Sequence, residues 1–144
     1  MTTETLATDL DAWCQSYVAA FSDYDIRAIS AHWCFPAVIL AGGAPVLLGA
    51  REKFDRNTER LCAFYRDQGV TRAERSLIKH LPMTAHTAAI IVKDTLLDEA
   101  GGKIVSWDAA YTLTLTPDGW RACLADAGGE MAAWTARGTP LGGG

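Results

Sequence analysis

The 144-residue sequence has no apolar run approaching 18 residues, so it offers no candidate transmembrane helix. Its first residues, Met1-Thr2-Thr3-Glu4, carry neither a basic nor an apolar stretch, so no secretory signal is read there and a cytoplasmic location is expected. It also lacks an excess of positive charge. Thirteen Lys and Arg against seventeen Asp and Glu leave a net charge of −4, which argues against nucleic acid or an anionic membrane as partner. There is no C-x-x-C; Cys14, Cys34, Cys62 and Cys123 stand 20 or more residues apart and read as reduced, mostly buried thiols. G-x-S-x-G is missing, and no Cys-His spacing suits a nucleophile. Gly42-Gly43 and Gly101-Gly102 read as hairpin turns rather than phosphate cradles. His80 and His86 flank a turn, but no H-x-x-x-H or spaced carboxylate adds a third ligand. Neither a metal nor a cofactor is implied.

What is present is a strand pattern. Val105, Trp107, Ala109, Tyr111, Leu113 and Leu115 fall on one face of residues 103–116, and Ser106, Asp108, Ala110, Thr112, Thr114 and Thr116 on the other. Such alternation predicts a half-buried antiparallel strand. Pro117-Asp118-Gly119 then makes a turn, and Trp120, Ala122 and Leu124 alternate back.

Upstream, Leu6, Leu10, Trp13, Tyr17, Ala20 and Phe21 make the apolar stripe of a helix over 5–22. Asp25 suits the N-cap of a second helix over 26–33, ended by Pro36. Residues 37–41 and 46–48 form a small hairpin. Gly49 and Glu52 suit the N-cap and N3 positions of a third helix running to about Asp67, stopped by Gly69. Strands are expected over 70–81 and 85–98, with a turn at Leu81-Pro82-Met83-Thr84; the second, apolar on both faces, reads as central. Residues 130–134 read as a last short helix. Eight of the thirteen basic residues lie between Arg51 and Lys79, interleaved with acids, and read as a solvated face. No repeat or linker divides the chain, giving one domain over 1–137 and a loose tail over 138–144. Helices first and an antiparallel meander after give an α+β fold, with helices on one face of a curved sheet.

Register places one carboxylate inside. Pairing Leu96 with Val105, Asp94 with Trp107, Val92 with Ala109 and Ile90 with Tyr111 keeps the apolar face together. The other face then pairs Lys93 with Asp108 and Thr95 with Ser106. Asp94 therefore points inward, where it needs a raised pKa or a partner. Ala109 and Ala110 leave space for a pocket above the sheet.

Three segments resemble the SnoaL-like (polyketide cyclase-like) branch of the nuclear transport factor 2-like superfamily. They are W-C-Q-S-Y-V-A-A-F-S-D-Y-D-I-R-A-I-S-A-H-W-C-F-P over 13–36, L-L-G-A-R-E-K-F over 47–54, and S-W-D-A-A-Y-T-L-T-L-T-P-D-G-W-R-A over 106–122. The resemblance implies a cone-shaped α+β barrel, three helices packed on a strongly bent, mainly antiparallel sheet, with a cavity at the open end. It also implies a homodimer through the outer face of the sheet, where Lys93, Thr95, Ala110, Thr112 and Thr114 are expected. The superfamily holds isomerases, dehydratases, epoxide hydrolases and cyclases, and also transport and assembly subunits without catalysis, so fold alone does not decide function.

Two functions follow as expectations. In the first, the pocket binds a small apolar molecule and performs cofactor-independent acid/base chemistry of isomerase, cyclase or dehydratase type. Asp94 is the candidate acid/base, with His32 and Tyr17 as helix-borne proton partners. Trp13, Trp33, Trp107 and Tyr111 are the candidate ligand-lining rings. In the second, the chain is a non-catalytic ligand-binding or assembly module, with Asp94 a satisfied core carboxylate and the rings core packing. Whether Asp126 faces the pocket depends on a bulge at Gly119.

Overall fold

A computed structural model of the protein describes residues 3–141. Helix α1 (Thr3–Ser22) is followed by α2 (Ile26–Ser30), β1 (Trp33–Ala41), β2 (Ala44–Leu48) and α3 (Arg51–Asp67). Four strands come next: β3 (Arg72–Thr84), β4 (Thr87–Leu97), β5 (Lys103–Thr116) and β6 (Gly119–Asp126). Helix α4 (Gly128–Arg137) is the last element among the described residues. The strands form one mixed sheet in the order β2-β1-β6-β5-β4-β3, open at both edges, with β1 and β6 its one parallel pair among the described residues.

The first helices sit where their apolar stripes require. Leu10, Trp13, Cys14 and Tyr17 of α1 are buried in one cluster with Ile29, Trp33, Phe54, Ile90, Val92 and Leu113. Asp25 caps α2 as expected, accepting from the Ala28 amide at 3.1 Å. The helix is shorter than its pattern suggests. Trp33 already belongs to β1 and pairs with Ala122, and Pro36 sits inside that strand rather than ending a helix. Pairing with β6 shifts between Trp33 and Val38, and a residue without an N–H fits such an irregular stretch.

Helix α3 has Ala50, not Gly49, as its N-cap. Ala50 has extended backbone and offers no side-chain cap, so Glu52 in the first turn is left to answer the helix dipole. Its end follows the glycine signal. Gly69 has φ 82, its amide reaches Arg66 O at 3.0 Å, and the Val70 amide reaches Tyr65 O at 3.0 Å, the Schellman pair.

Strand β3 runs through Pro82 to Thr84, and the turn falls at Ala85-His86. The expected turn at Pro82 fails because β3 is an edge strand, where a missing donor leaves no ladder bond unmade. Strand β4 is central, between β3 and β5. Its register with β5 is the expected one from Ile90 to Leu96: Leu96 opposes Val105, Asp94 Trp107, Val92 Ala109, Ile90 Tyr111 and Lys93 Asp108; at the hairpin end it shifts, and Lys103 opposes Leu97 instead of the expected Asp98. No helix interrupts residues 84–126. Between β5 and β6 the register shifts around Cys123, since Leu113 faces Ala122 and Thr112 faces Leu124, whereas Gly119 pairs regularly with Thr116.

Helix α4 is longer than the expected 130–134 and closes over the sheet against β5. A Cβ at Gly129 would lie 2.4 Å from Asp108 O, so this first turn can press onto the strand backbone only as glycine. Trp134 is fully buried in a second cluster with Tyr65, Val70, Leu96 and Val105. Burial of such a ring holds the helix down by an amount that truncation to Ala typically reveals as about 3–5 kcal/mol. Of the expected tail, Leu141 packs against that cluster, and 142–144 lie outside the described residues.

Candidate functional site

The concave face of the sheet, α1, α3 and α4 enclose a cavity of about 640 Å³. Trp33, Phe54, Leu96, Trp107, Ala109 and Tyr111 contribute to its walls, and exposed Asn57, Arg60 and Asp67 stand at its mouth. On the inner face of β5 the small Ala109, between Trp107 and Tyr111, keeps the space open.

Asp94 is buried on the inner face, where β4 places it between Val92 and Leu96. It is not alone there. Arg75, its cross-strand neighbour on β3, donates from Nε to Oδ1 at 2.6 Å and from Nη2 to Oδ2 at 2.8 Å. The same Nη2 donates to the Tyr111 hydroxyl at 2.8 Å, and the guanidinium lies 5.2 Å from the centre of the Tyr17 ring. With the Arg75 side chain only 2% exposed, this is a buried, bidentate pair. The inward carboxylate thus has a charged partner.

Tyr17 lines the cavity from α1 and accepts a hydrogen bond from Trp33 Nε1 at 3.0 Å; burial holds its hydroxyl well above the usual tyrosine range. Trp13 lies behind it, stacked on Tyr17 with centroids 5.0 Å apart and its edge on Tyr111, so it supports the wall rather than facing the cavity. His32 is likewise outside the lining. Its Nδ1 sits 2.6 Å from Ala28 O and so carries the proton, leaving Nε2 to accept from Ser16 Oγ at 2.8 Å. Desolvation lowers its pKa, in keeping with a neutral ring that joins α1 to α2. The structure thus gathers Asp94, Tyr17, Trp33, Trp107 and Tyr111 around one space and leaves His32 and Trp13 behind it.

Two polar residues at this space were not singled out from the sequence. Arg75 belongs to the basic stretch that reads as solvated, yet Ala73, Arg75 and Leu77 alternate onto the inner face of β3. Glu130 is the other. Its Oε2 accepts from the Tyr65 hydroxyl and from Trp134 Nε1, the latter at 3.2 Å. Some of its surface is accessible, as the cavity wall requires, but protein surrounds it, and desolvation pushes its pKa up to about 7 against the pull of those two hydrogen bonds. The signal was its spacing: Glu130 and Trp134 are four apart and share a helix face. Asp126 is exposed and accepts from the Gly128 amide at 2.8 Å, which ties it to the start of α4.

Chemically, the cavity offers apolar rings, a neutralised ion pair, and one carboxyl poised between its two protonation states. The four cysteines are free thiols, and among the described residues no group of three or more His, Cys, Asp or Glu is arranged to hold a metal ion. No helix among them is long and apolar enough to cross a membrane.

A family described as NTF2-like protein (DUF6841) matches residues 8–128, and the chain belongs to it. The fold is accordingly the NTF2-like α+β cone. Solved structures agree in shape. A ketosteroid isomerase-like protein from Erwinia carotovora atroseptica SCRI1043 superposes with a TM-score of 0.64 at 18% identity, over 87% of this chain and 95% of that one. An NTF-2 like protein of unknown function from Silicibacter pomeroyi DSS-3 gives 0.60 at 21% identity, over 88% and 97%. An NTF2-like protein with a cystatin-like fold from Novosphingobium aromaticivorans DSM gives 0.63 at 16% identity, over 83% and 79%. At these identities the likeness is one of fold. No curated protein matches the chain.

Proposed function

We propose that this protein binds a small, largely apolar molecule in its cavity and exchanges a proton with it, in cofactor-independent chemistry of isomerase, cyclase or dehydratase type. The observation that carries this reading is Glu130, a carboxyl on the wall of an aromatic cavity whose pKa of about 7 suits it to give and take a proton near neutrality. Asp94 then serves chiefly to hold Arg75 and, through it, the Tyr111 hydroxyl at the wall. Tyr17 completes the wall as a donor that stays protonated. A ketosteroid isomerase-like protein among the structural neighbours is in keeping with such chemistry. Within the NTF2-like superfamily we place the chain beside the SnoaL-like branch, on the segments 13–36, 47–54 and 106–122.

One observation favours a non-catalytic ligand-binding or assembly module instead: both Asp94 oxygens are taken by Arg75. Blocking the cavity separates binding from mere packing. Ala109→Phe should abolish the thermal stabilisation that small apolar molecules give the unmodified protein. Stabilisation that survives the substitution would place binding elsewhere and end this reading.

A further inference from the structure

The Asp94–Arg75 pair carries no net charge, whereas Glu130, partly accessible at the cavity wall, has no cation of its own among the described residues. Among the described residues no Lys, Arg or His forms an ion pair with it. Among the described residues Oε2 takes both protein donors and Oε1 receives none, although it is not sealed inside the protein. The surroundings supply no hidden counter-charge. On α3, Tyr65 is held protonated by burial, and Arg60 and Asp67 are opposite charges exposed at the mouth. Across the cavity, Arg75 on β3 and Asp94 on β4 neutralise each other, and Tyr111 on β5 is neutral, its pKa pushed up to about 12 mainly by burial. On β6, Asp126 accepts from the Gly128 amide, and at the far end of α4 Arg137 donates to Ile104 O at 3.1 Å. What adjoins Glu130 is aromatic. Tyr65 packs on Trp134 with centroids 6.1 Å apart and on Phe21 at 6.1 Å, and Phe64 meets Trp134 at 4.9 Å.

We propose that the cavity takes an apolar amine, its ammonium against Glu130 Oε1 and its hydrocarbon body toward Trp107 and Tyr111. The inference rests on the cavity being a binding site, as argued above, and names the chemistry of the occupant. A neutral hydroxyl could also donate to Oε1, but it leaves a desolvated negative charge uncompensated. An ammonium supplies the donor and the missing charge together. Where Glu130 is protonated beforehand, its O–H bond breaks on binding, the proton passes to solvent, and the ligand's charge takes its place.

The test compares 1-naphthylmethylamine with its neutral isostere 1-naphthalenemethanol by isothermal titration calorimetry, in the unmodified protein and in Glu130→Gln. At pH 8 the amine should bind at least about tenfold tighter than the alcohol, as a compensated carboxylate implies. Between pH 8 and pH 6 its affinity should fall about tenfold, following the ionised fraction of a group titrating near 7, while the alcohol's stays level. Proton release at pH 6 should show as a dependence of heat on the buffer's ionisation enthalpy. Glu130→Gln should bring the two affinities together, chiefly through loss of the amine's. Equal affinities in the unmodified protein, or an amine preference that survives Glu130→Gln, would overturn the ligand class while leaving the cavity as a binding site. Failure of both probes to bind would overturn the inference together with the binding reading on which it rests. Should Glu130→Gln fold poorly, the pH profile and proton release of the unmodified protein decide alone: a flat profile without release refutes the proposal.

Discussion

Replacing Asp94 by Asn changes one atom of side-chain chemistry and almost no volume, so its cost reports on charge. In the folded protein Arg75 would then stay buried, 2% exposed at its side chain, with its counter-ion gone and one carboxylate acceptor turned into an amide donor. Removing one partner of a buried, hydrogen-bonded pair typically costs about 3–5 kcal/mol, most of it the penalty of the charge left behind. For a domain of this size each kcal/mol lowers Tm by roughly 2–4 °C, so the variant should melt about 6–20 °C below the unmodified protein. Urea unfolding followed by circular dichroism and by tryptophan fluorescence would measure the same loss at fixed temperature. The companion variant is Arg75→Met with Asp94→Leu, which removes both charges. It should recover much of the loss, because a well-packed apolar pair replaces a buried ion pair at little cost. If Asn costs less than about 1 kcal/mol, the range of exposed pairs, Arg75 is not desolvated as described and the electrostatic account of the cavity fails.

Stability should depend on pH through Glu130. Its pKa of about 7 in the folded protein against 4.5 ordinarily means that the folded state keeps a proton which the unfolded chain releases between those values. Its contribution is therefore full below about pH 4.5 and is lost as pH rises through 7. Glu130→Gln should remove this fall. The lowered pKa of His32 acts in the opposite sense but cancels when melts of the two proteins at pH 5 to 8 are subtracted, and a difference that stays constant with pH would refute the assignment. A third expectation concerns the outer face of the sheet, where Ile91 is 39% exposed between Lys79 and Ala110, and Leu81, 60% exposed, lies opposite Ala89. We expect homodimers through this face, so sedimentation at roughly tens of micromolar should give a dimer that Ile91→Lys converts to monomer; a monomeric unmodified protein contradicts it.

The helices, the meander and the β4–β5 register were legible because one residue pattern served each of them twice. Leu10, Trp13 and Tyr17 mark both a helix and its buried face; Lys93 opposite Asp108 and Asp94 opposite Trp107 are sensible only in one pairing. Boundaries were harder where local chemistry and topology disagreed. Pro82 reads as a turn, but a sheet edge tolerates it, and that edge is a property of strand order. Pro36 reads as a helix stop, yet lies in a strand whose partner, β6, comes some ninety residues later. Asp94 was legible as an inward carboxylate; its partner was not, because Arg75 sits in a charged segment whose alternation is short and interrupted by a register shift after Leu77. Glu130 was hidden differently. One helical turn cannot show that a chain end folds back over the sheet, and only the packing of Gly129 and Trp134 places its carboxyl at the cavity.

A crystal structure of the protein soaked with 1-naphthalenemethanol, beside one of the protein as purified, tests most directly whether the space above β5 receives a small molecule. The prediction is density for the ligand within the cavity, its rings against Trp107 and Tyr111 and its hydroxyl within hydrogen-bond distance of Glu130. A cavity filled by the protein's own side chains in both crystals, with the soaked molecule absent or bound on the outer face of the sheet, would contradict it.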